Sequence, residues 1–350
     1  MSRSTRSSGP PMTMRVQTRS CSDRRSPANA RDRGGRRAGP GLLSPRERPA
    51  QPLRKPVPES TLQPFAEEAT MRRTRLRRRS IRRRVMATLG ALLTWCAAAG
   101  HASIIEGDRA WAARAEALDQ ERADPTRIEE AIAHYRAAIK IDPDALEPRW
   151  KLLRALHYAI DFTTLSDDEK DAHMREAVDL AREWTERRDD PSAPRADVAR
   201  MLFWSAIAWG VRAQRVGLLT IVREGVATRM HDDALRSLEL DPSVDRGGAL
   251  RLLSRLHATL PRVPFVSGWV DRKRALLLAE RGYDLDPEHP GNRLVLALVL
   301  LEREPSRREE ARALLERIVA TEPRAEALVE DLRIREQARE KLARIGSGPS

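Results

Sequence analysis

The 350-residue chain carries 64 Lys or Arg and 51 Asp or Glu side chains, a formal net charge of +13. The charge is not spread evenly: residues 1–84 hold 23 basic and 6 acidic side chains, whereas residues 85–350 carry a net charge of −4. The downstream part therefore lacks the basic stripe that follows a phosphate backbone, and we expect it not to bind nucleic acid.

Residues 1–70 are expected to be a disordered, basic, low-complexity tail. They are rich in Arg, Ser, Pro and Gly, and they offer almost no apolar periodicity to offset the entropy of ordering. In one alternative, translation begins at Met71 and the tail is never made. In another, the tail is made and binds nucleic acid, and the chain is an intracellular repeat protein.

A secretory signal is predicted over residues 71–102. A basic run from Arg72 to Arg84 precedes an apolar stretch of 15 residues, 85–99, and small residues with the spacing of a cleavage site follow. Fifteen residues are few for a membrane span, which needs about 20. We therefore predict a periplasmic or secreted protein. The alternative is a retained inner-membrane anchor with the folded domain facing outward.

The two cysteines, Cys21 and Cys96, both precede the predicted cleavage site. Lipidation at Cys96 is disfavoured because the large Trp95 precedes it, where lipoprotein signals have a small residue. The predicted mature domain, 103–345, therefore has no disulfide, no thiol nucleophile and no zinc site built on cysteine.

Sequence motifs with known chemistry are sparse, and we expect no catalytic residues, no metal and no cofactor. The chain contains no Gly-x-Ser-x-Gly elbow and no glycine loop that would cradle a phosphate. His231-Asp232-Asp233 is the densest group of potential metal ligands. Because one histidine and two carboxylates make a weak site without further ligands, we interpret it as a solvated polar turn.

Pairs of an acidic residue followed by proline recur through the predicted domain and mark the ends of helices. Proline keeps its predecessor out of the helical region and cannot continue a helix. Successive prolines lie 48, 51, 45 and 36 residues apart, and such near-regular stops are typical of stacked helical hairpins. The pairs are Asp142-Pro143, Asp190-Pro191, Asp241-Pro242, Asp286-Pro287 and Glu322-Pro323.

We predict an all-α fold, an α-solenoid of antiparallel helical hairpins, from apolar stripes of helical period and from capping signals. Ser166 with Glu169, and Ser306 with Glu309, have the spacing of capping boxes. The last helix is expected to be a solvated cap on an open solenoid end, followed by a flexible tail, 346–350. The predicted helices pair as 107–122 with 127–141, 145–162 with 167–187, 201–209 with 218–240, 247–260 with 272–285, and 294–301 with a stripe from Ala311, before the cap at 324–345.

The second helices of three hairpins resemble helix B of tetratricopeptide repeats, in which alanine, a bulky residue, a small residue and proline recur at fixed offsets. The hairpin spacing exceeds the usual 34 residues, so these are divergent, lengthened repeats. The resemblance implies a protein-interaction scaffold. The matching residues are Ala131, Tyr135, Ala138 and Pro143; Ala275, Ala279, Gly282 and Pro287; and Ala311, Leu315, Ile318 and Pro323.

A narrower resemblance covers residues 204–323. It is to exported tetratricopeptide-like proteins related to the T-component associated with TRAP (tripartite ATP-independent periplasmic) transporters, which pair with periplasmic solute-binding proteins. It implies a solute-binding protein as the partner. The residues that carry it are Trp204, Trp209, Asp241-Pro242, Gly247-Gly248, Pro261, Asp271, Ala275, Asp286-Pro287 and Asn292.

A candidate partner-binding surface is predicted on the first helix of the central hairpin and on the loop 261–271. An aromatic wall beside guanidinium groups suits a carboxylate or an acidic peptide, so the expected partner is a protein segment or an anionic solute. The alternative interpretation places the tryptophans in the core and the arginines on the surface. The candidate residues are Trp204, Trp209, Arg212, Arg215, Phe265 and Trp269.

These observations together predict a non-enzymatic, exported helical-repeat scaffold that mediates protein–protein interaction, accessory to a TRAP-type transporter if the narrower resemblance applies. Two alternatives stay open, the intracellular repeat protein with a nucleic-acid-binding tail and an enzyme of unknown class.

Overall fold

The computed structural model describes residues 98–185, 193–216, 221, 223–263 and 267–346. The predicted tail, the signal segment up to residue 97, Phe265, the Asp190-Pro191 pair and residues 347–350 lie outside the described residues. The described residues all belong to one compact unit, Thr70–Ser350.

Helices follow one another along nearly all of the described chain. The first, α1, covers residues 98–112, and a tight hairpin of two short strands, β1 (Leu118–Asp119) and β2 (Arg122–Ala123), comes after it. The remaining α-helices are α2 (Thr126–Ile141), α3 (Leu146–Phe162), α4 (Asp167–Thr185), α5 (Arg195–Arg215), α6 (Val226–Leu240), α7 (Gly248–Thr259), α8 (Arg272–Leu285), α9 (Pro290–Arg303), α10 (Arg308–Ala320) and α11 (Leu328–Gly346).

The helices pack as stacked hairpins. Each odd-numbered helix up to α9 is the first helix of a hairpin, an A helix, and the following even-numbered helix is its B helix. The A helix α3 packs against α2, α4 and the next A helix, α5, and the same arrangement recurs where α7 contacts α6, α8 and α9. The predicted all-α solenoid of antiparallel helical hairpins is therefore confirmed.

The acidic residue–proline stops act as predicted at three of the four described pairs, and at the fourth, Glu322-Pro323, the helix already ends at Ala320. Helices α2, α6 and α8 each end at the residue before the pair. At the first stop, the Asp142 N–H still donates to the Ala138 carbonyl (3.0 Å), and the proline that follows cannot continue the ladder. The helix-B residues matched above are buried in all three repeats, namely Ala131, Tyr135, Ala138, Ala275, Ala279, Gly282, Ala311, Leu315 and Ile318.

Two consecutive glycines let the chain turn sharply between α6 and α7. Gly247 has φ of +93°, a conformation that side chains rarely adopt. Gly248 lies against the Phe203 ring of α5, where an added Cβ would be 2.5 Å from the ring. The interpretation of this pair as a turn with close helix packing is confirmed.

The first predicted helix, 107–122, is wrong at both ends. Helix α1 is already formed at residue 98 and stops at 112, so residues 98–102 of the predicted signal belong to a helix in which Gly100 packs on Ile141. Residues 118–123 form the strand hairpin instead, with Gln120 at φ of +57°. The helix-favouring composition of this segment is overridden because Ala123 is fully buried and its carbonyl accepts from the Thr164 N–H (3.2 Å).

Only one of the two predicted capping boxes forms. Ser166 N–H donates to Glu169 Oε2 (2.9 Å), and Glu169 N–H donates to the Ser166 hydroxyl (3.4 Å). At the second site the chain forms a 3-10 turn, Pro305–Arg307, and α10 begins without a side-chain cap. Pro305 starts this tight turn, so Ser306 lies inside it and not at the cap position.

The last helix does not cap an open end. Helix α11 packs on α10 and α9 and also reaches the start of the solenoid. Val329 joins the hydrophobic cluster of the first three hairpins with 1% of its surface exposed, and Glu330 accepts a hydrogen bond from Arg114 (2.8 Å). The expectation of an open solenoid end is wrong because one apolar contact and one ionic contact join α11 to the first hairpin.

None of the described helices combines the length and the hydropathy that a membrane span requires.

Helix α9 provides a test of the core. Leu300 is fully buried between neighbouring helices, Leu298 on the same helix is half-buried, and Leu277 on α8 is 64% exposed. We expect Leu300→Asp to lower the free energy of unfolding by several kcal/mol, because it buries a charge without a partner. Leu298→Asp should cost less. The control Leu277→Asp should change the stability by about 0.5 kcal/mol or less.

Urea unfolding followed by circular dichroism measures all three variants. Equal midpoints for Leu300→Asp and Leu277→Asp would show that α9 is not an inner helix.

Candidate binding cavity

The A helices and α11 surround one cavity of about 350 Å³. Each of the five A helices, α1, α3, α5, α7 and α9, contributes at least one residue to the cavity wall, either from the helix itself or from the turn beside it. Helix α11 covers the side that the A helices leave open. The wall contains Trp111, Arg114, Arg154, His157, Tyr158, Phe162, Trp204, Asp245, Arg246, Arg251, His289, Gly291, Arg324, Glu326, Ala327, Glu330 and Ile334.

Arg154 of α3 is the cavity arginine that forms no ion pair with a described carboxylate. Its guanidinium carbon lies 3.9 Å from the centre of the Trp111 ring and 5.2 Å from that of Trp150. Its Nε is buried and has no hydrogen-bond partner among the described residues. Burial lowers the pKa of Arg154, and the neighbouring Tyr135 hydroxyl partly opposes that effect. The side chain is a stacked cation whose charge is left without a counter-charge at hydrogen-bonding distance.

The other four cavity arginines are held by carboxylates or carbonyls. Arg251 donates to Asn292 Oδ1 (2.9 Å), to the Asp245 carbonyl (2.9 Å) and to the Asp245 carboxylate. Arg324 forms a paired contact with Asp331 (2.8 and 2.7 Å). The remaining two pairs are Arg114 with Glu330 and Arg246 with Asp286. These pairs fix the positions of the side chains around Arg154.

His289 reports the electrostatic character of the cavity. It lies at the start of α9, where its Nδ1 accepts from the Gly291 N–H (3.1 Å). Burial lowers the pKa of His289 to about 2, and the nearby charges of Arg251, Arg324, Arg246 and Arg293 add to that effect. Burial first and the neighbouring guanidinium groups second thus favour the neutral form of this histidine.

Aromatic rings form the apolar part of the wall. Trp111 meets Tyr158 edge to face, with ring centres 5.7 Å apart, and Tyr158 lies 5.3 Å from Phe162. Trp204 of α5 is half-buried and lies 5.9 Å from the His157 ring. Flat apolar surfaces beside guanidinium groups suit a ligand with an apolar body and a carboxylate.

Of the residues predicted to bind a partner, the structure places Trp204 in the cavity wall. Trp209 is in the hydrophobic core with 1% of its surface exposed. Arg212 forms two hydrogen bonds with Glu224 (2.6 and 2.7 Å), which raise the pKa of Arg212 and lower that of Glu224. Trp209 and Arg212 thus each have a structural role, in the core and in an ion pair respectively.

Arg215 and Trp269 lie away from the cavity. Arg215 pairs with Asp171 of α4. Trp269 stacks on His231 with ring centres 4.0 Å apart and adjoins a separate, open surface pocket. Phe265 is among the residues that the structure does not describe. Of the five predicted residues that the structure describes, Trp204 alone lines the cavity.

The interpretation of His231-Asp232-Asp233 as a solvated polar turn is wrong, because the three residues lie within α6 and two of them, His231 and Asp233, are buried. His231 Nδ1 lies 2.9 Å from Asp232 Oδ1, and the ring packs against Trp269 and His257. Burial lowers the pKa of His257 to about 4, with the His231 charge as the next cause. In the part of the chain that the structure describes, no cluster of three or more His, Cys, Asp or Glu side chains could hold a metal ion.

Sequence reasoning missed the arginines of the cavity. Arg154, Arg251 and His289 lie on three different A helices or at their starts, and no short motif joins them. The available signal was weak: each is a charged or polar residue within a largely apolar A helix. The contribution of α11 could not be recognised because the sequence pattern gave no reason to place it against α1.

The neutral state of His289 makes a prediction about pH. The unfolded histidine binds a proton below about pH 6.5, whereas the folded one remains neutral down to about pH 2. The unfolded state therefore holds more protons in this range. His289 thus lowers the free energy of unfolding as the pH falls, by up to about 1.4 kcal/mol per pH unit. His289→Asn keeps an acceptor at the helix start and should reduce the loss.

Urea unfolding of the parent and of His289→Asn between pH 7 and pH 4.5 measures the difference. If both proteins lose the same stability over this range, the histidine is not held neutral in the fold.

Comparisons with known proteins find a likeness of structure. A crystal structure of a thermophilic TPR protein from Thermus thermophilus aligns with 70% of this chain and 99% of its own, at 14% sequence identity and a TM-score of 0.44. None of the protein-family models searched matches the chain, and no curated protein matches it.

Proposed function

We propose that this chain is a non-enzymatic helical-repeat binding protein whose inner cavity takes a carboxylate-bearing ligand. The observation that carries the proposal is the stacked guanidinium of Arg154, which has no ion-pair partner among the described residues, in a cavity whose other arginines are already paired. A buried cation without a counter-charge is costly to the fold, so its presence in a cavity suits binding better than stability.

The site has the features of a binding site and not of a reaction centre. Asp245 is committed to Arg251, and Glu330 shares its Oε1 with Arg114. His289 accepts a backbone hydrogen bond and stays neutral. These groups hold one another in position, and none of them is arranged beside a nucleophile.

We also propose that the protein works outside the cytoplasm with a protein partner. Export is supported by the basic run and the apolar stretch 85–99 that precede the helical unit. The resemblance of residues 204–323 to T-component-related proteins supports a periplasmic solute-binding protein as the partner. Stacked hairpins leave their B helices on the outer side, where a partner protein can dock while the cavity stays occupied.

Ligand binding is tested by native mass spectrometry of the full chain purified from cells that export it. We expect the wild-type protein to carry an acidic ligand. Arg154→Met keeps an apolar side chain but removes the charge, so it should weaken retention by about 30-fold, equivalent to about 2 kcal/mol. The matched control is Arg175→Met, at an exposed position of α4, which should retain the ligand.

Retention by Arg154→Met as strong as by Arg175→Met would refute the proposal, and so would a wild-type chain that carries no acidic species.

Export is tested by amino-terminal sequencing of the native protein after cell fractionation. Signal cleavage at either of the two small-residue positions should give a mature chain that begins near Gly100 or Ser103, recovered from the periplasm or the medium. Recovery of an intact chain from Met1 in the cytoplasm would refute export.

A further inference from the structure

Two buried polar atoms without a hydrogen-bond partner among the described residues belong to side chains of the cavity wall. They are Arg154 Nε and Glu330 Oε2, whereas His157 Nδ1 lies 3.5 Å from Asp161 Oδ2. Nε of arginine is a donor, and Oε2 of a carboxylate is an acceptor. A buried polar group without a partner destabilises the fold, and two such side chains at one cavity point to a ligand that supplies the missing partners.

The donor and the acceptor lie on neighbouring parts of the wall. The guanidinium carbons of Arg154 and Arg114 lie 3.9 and 4.2 Å from the centre of the same Trp111 ring. Arg114 in turn donates to Oε1 of Glu330. Arg114 therefore lies between the Glu330 carboxylate and the stacked pair of Arg154 and Trp111. A small molecule in the cavity can contact Arg154 and Glu330 together.

The size of the cavity limits what it can hold. A volume of about 350 Å³ is near the lower end of the range of small-molecule sites, about 300–1,000 Å³. Helix α11 crosses the side that would otherwise admit an extended chain, because Val329 and Glu330 attach it to the first hairpin. The occupant is thus a free small molecule and not a segment of a partner protein.

We propose that the cavity binds a free amino acid with an apolar side chain, an inference that rests on the proposed function. The carboxylate of the ligand pairs with Arg154, and its ammonium group donates to Glu330. The apolar side chain packs on the rings of Trp111, Tyr158 and Phe162. The ligand is a zwitterion, so it satisfies the unpaired donor and the unpaired acceptor at once.

Three related compounds separate these contacts in calorimetric titrations of the full chain. Phenylalanine has both charged groups, 3-phenylpropanoate lacks the ammonium group, and phenethylamine lacks the carboxylate. We expect phenylalanine to bind at least 10-fold more tightly than 3-phenylpropanoate, and phenethylamine to bind least. Leucine, titrated alongside, should bind as an apolar amino acid without a ring.

Variants assign each charged group to its side chain. Glu330→Gln retains an oxygen that can accept from Arg114, and it should weaken phenylalanine binding about 10-fold while leaving 3-phenylpropanoate binding unchanged. Arg154→Met should weaken the binding of both compounds. Arg175→Met is the control and should leave all affinities unchanged. Melting temperatures measured without ligand show whether any variant acts by unfolding.

The outcomes distinguish this inference from the proposed function. If 3-phenylpropanoate binds as tightly as phenylalanine, or if Glu330→Gln weakens both equally, the ammonium contact is wrong and the carboxylate site stands. If an acidic peptide with a blocked amino terminus binds more tightly than phenylalanine, the occupant is a protein segment and the inference fails. If the wild type binds neither amino acid, the inference fails, whereas ligand loss from Arg154→Met in native mass spectrometry would still support the proposed function.

Discussion

The contact between Arg114 and Glu330 gives this solenoid its cavity. The two residues are 216 positions apart, and Arg114 is buried to 6% exposure, where an arginine needs both charge compensation and hydrogen bonds. Glu330 and the Glu326 carbonyl supply them. Because this pair attaches the last helix to the first hairpin, the inner surface of the A helices becomes a cavity of limited volume.

The same contact controls the geometry around Arg154. Arg114 lies over the Trp111 ring and also donates to the Trp111 carbonyl (3.1 Å), so the ring is held in place from one side. Arg154 stacks on that ring, and like charge from Arg114 lowers its pKa further after burial has done so. Two guanidinium groups close to one aromatic ring repel each other. A carboxylate beside Arg154 would relieve that repulsion, which is the physical basis of the proposed anion site.

Much of the fold could be predicted from the sequence because its signals are local. Three acidic residue–proline stops end their own helices, the small residues of helix B are buried where the repeat pattern places them, and Gly247-Gly248 forms the close turn. Helix α1 and the strand hairpin could not be predicted, since their conformation depends on Ala123 packing against the loop after α3. In the sequence, Trp209 and Arg212 resemble an aromatic–arginine binding pair. In the structure, Trp209 packs in the core and Arg212 pairs with Glu224.

The cavity could not be predicted because the charged residues of its wall come from several helices that are far apart in the sequence. Arg154 occurs in α3, Arg251 in α7 and Glu330 in α11, so no window of the sequence contains a binding motif. What the repeats share is an A helix with apolar residues on both sides, and Arg154 of α3 and Arg251 of α7 reach the cavity wall from such helices. Buried arginines also occur on A helices outside the cavity, where Arg149 pairs with Glu183 and Arg293 with Glu288. An arginine in an A helix is therefore informative only where its counter-charge is missing, because a paired arginine, like a buried tryptophan, already has a structural role.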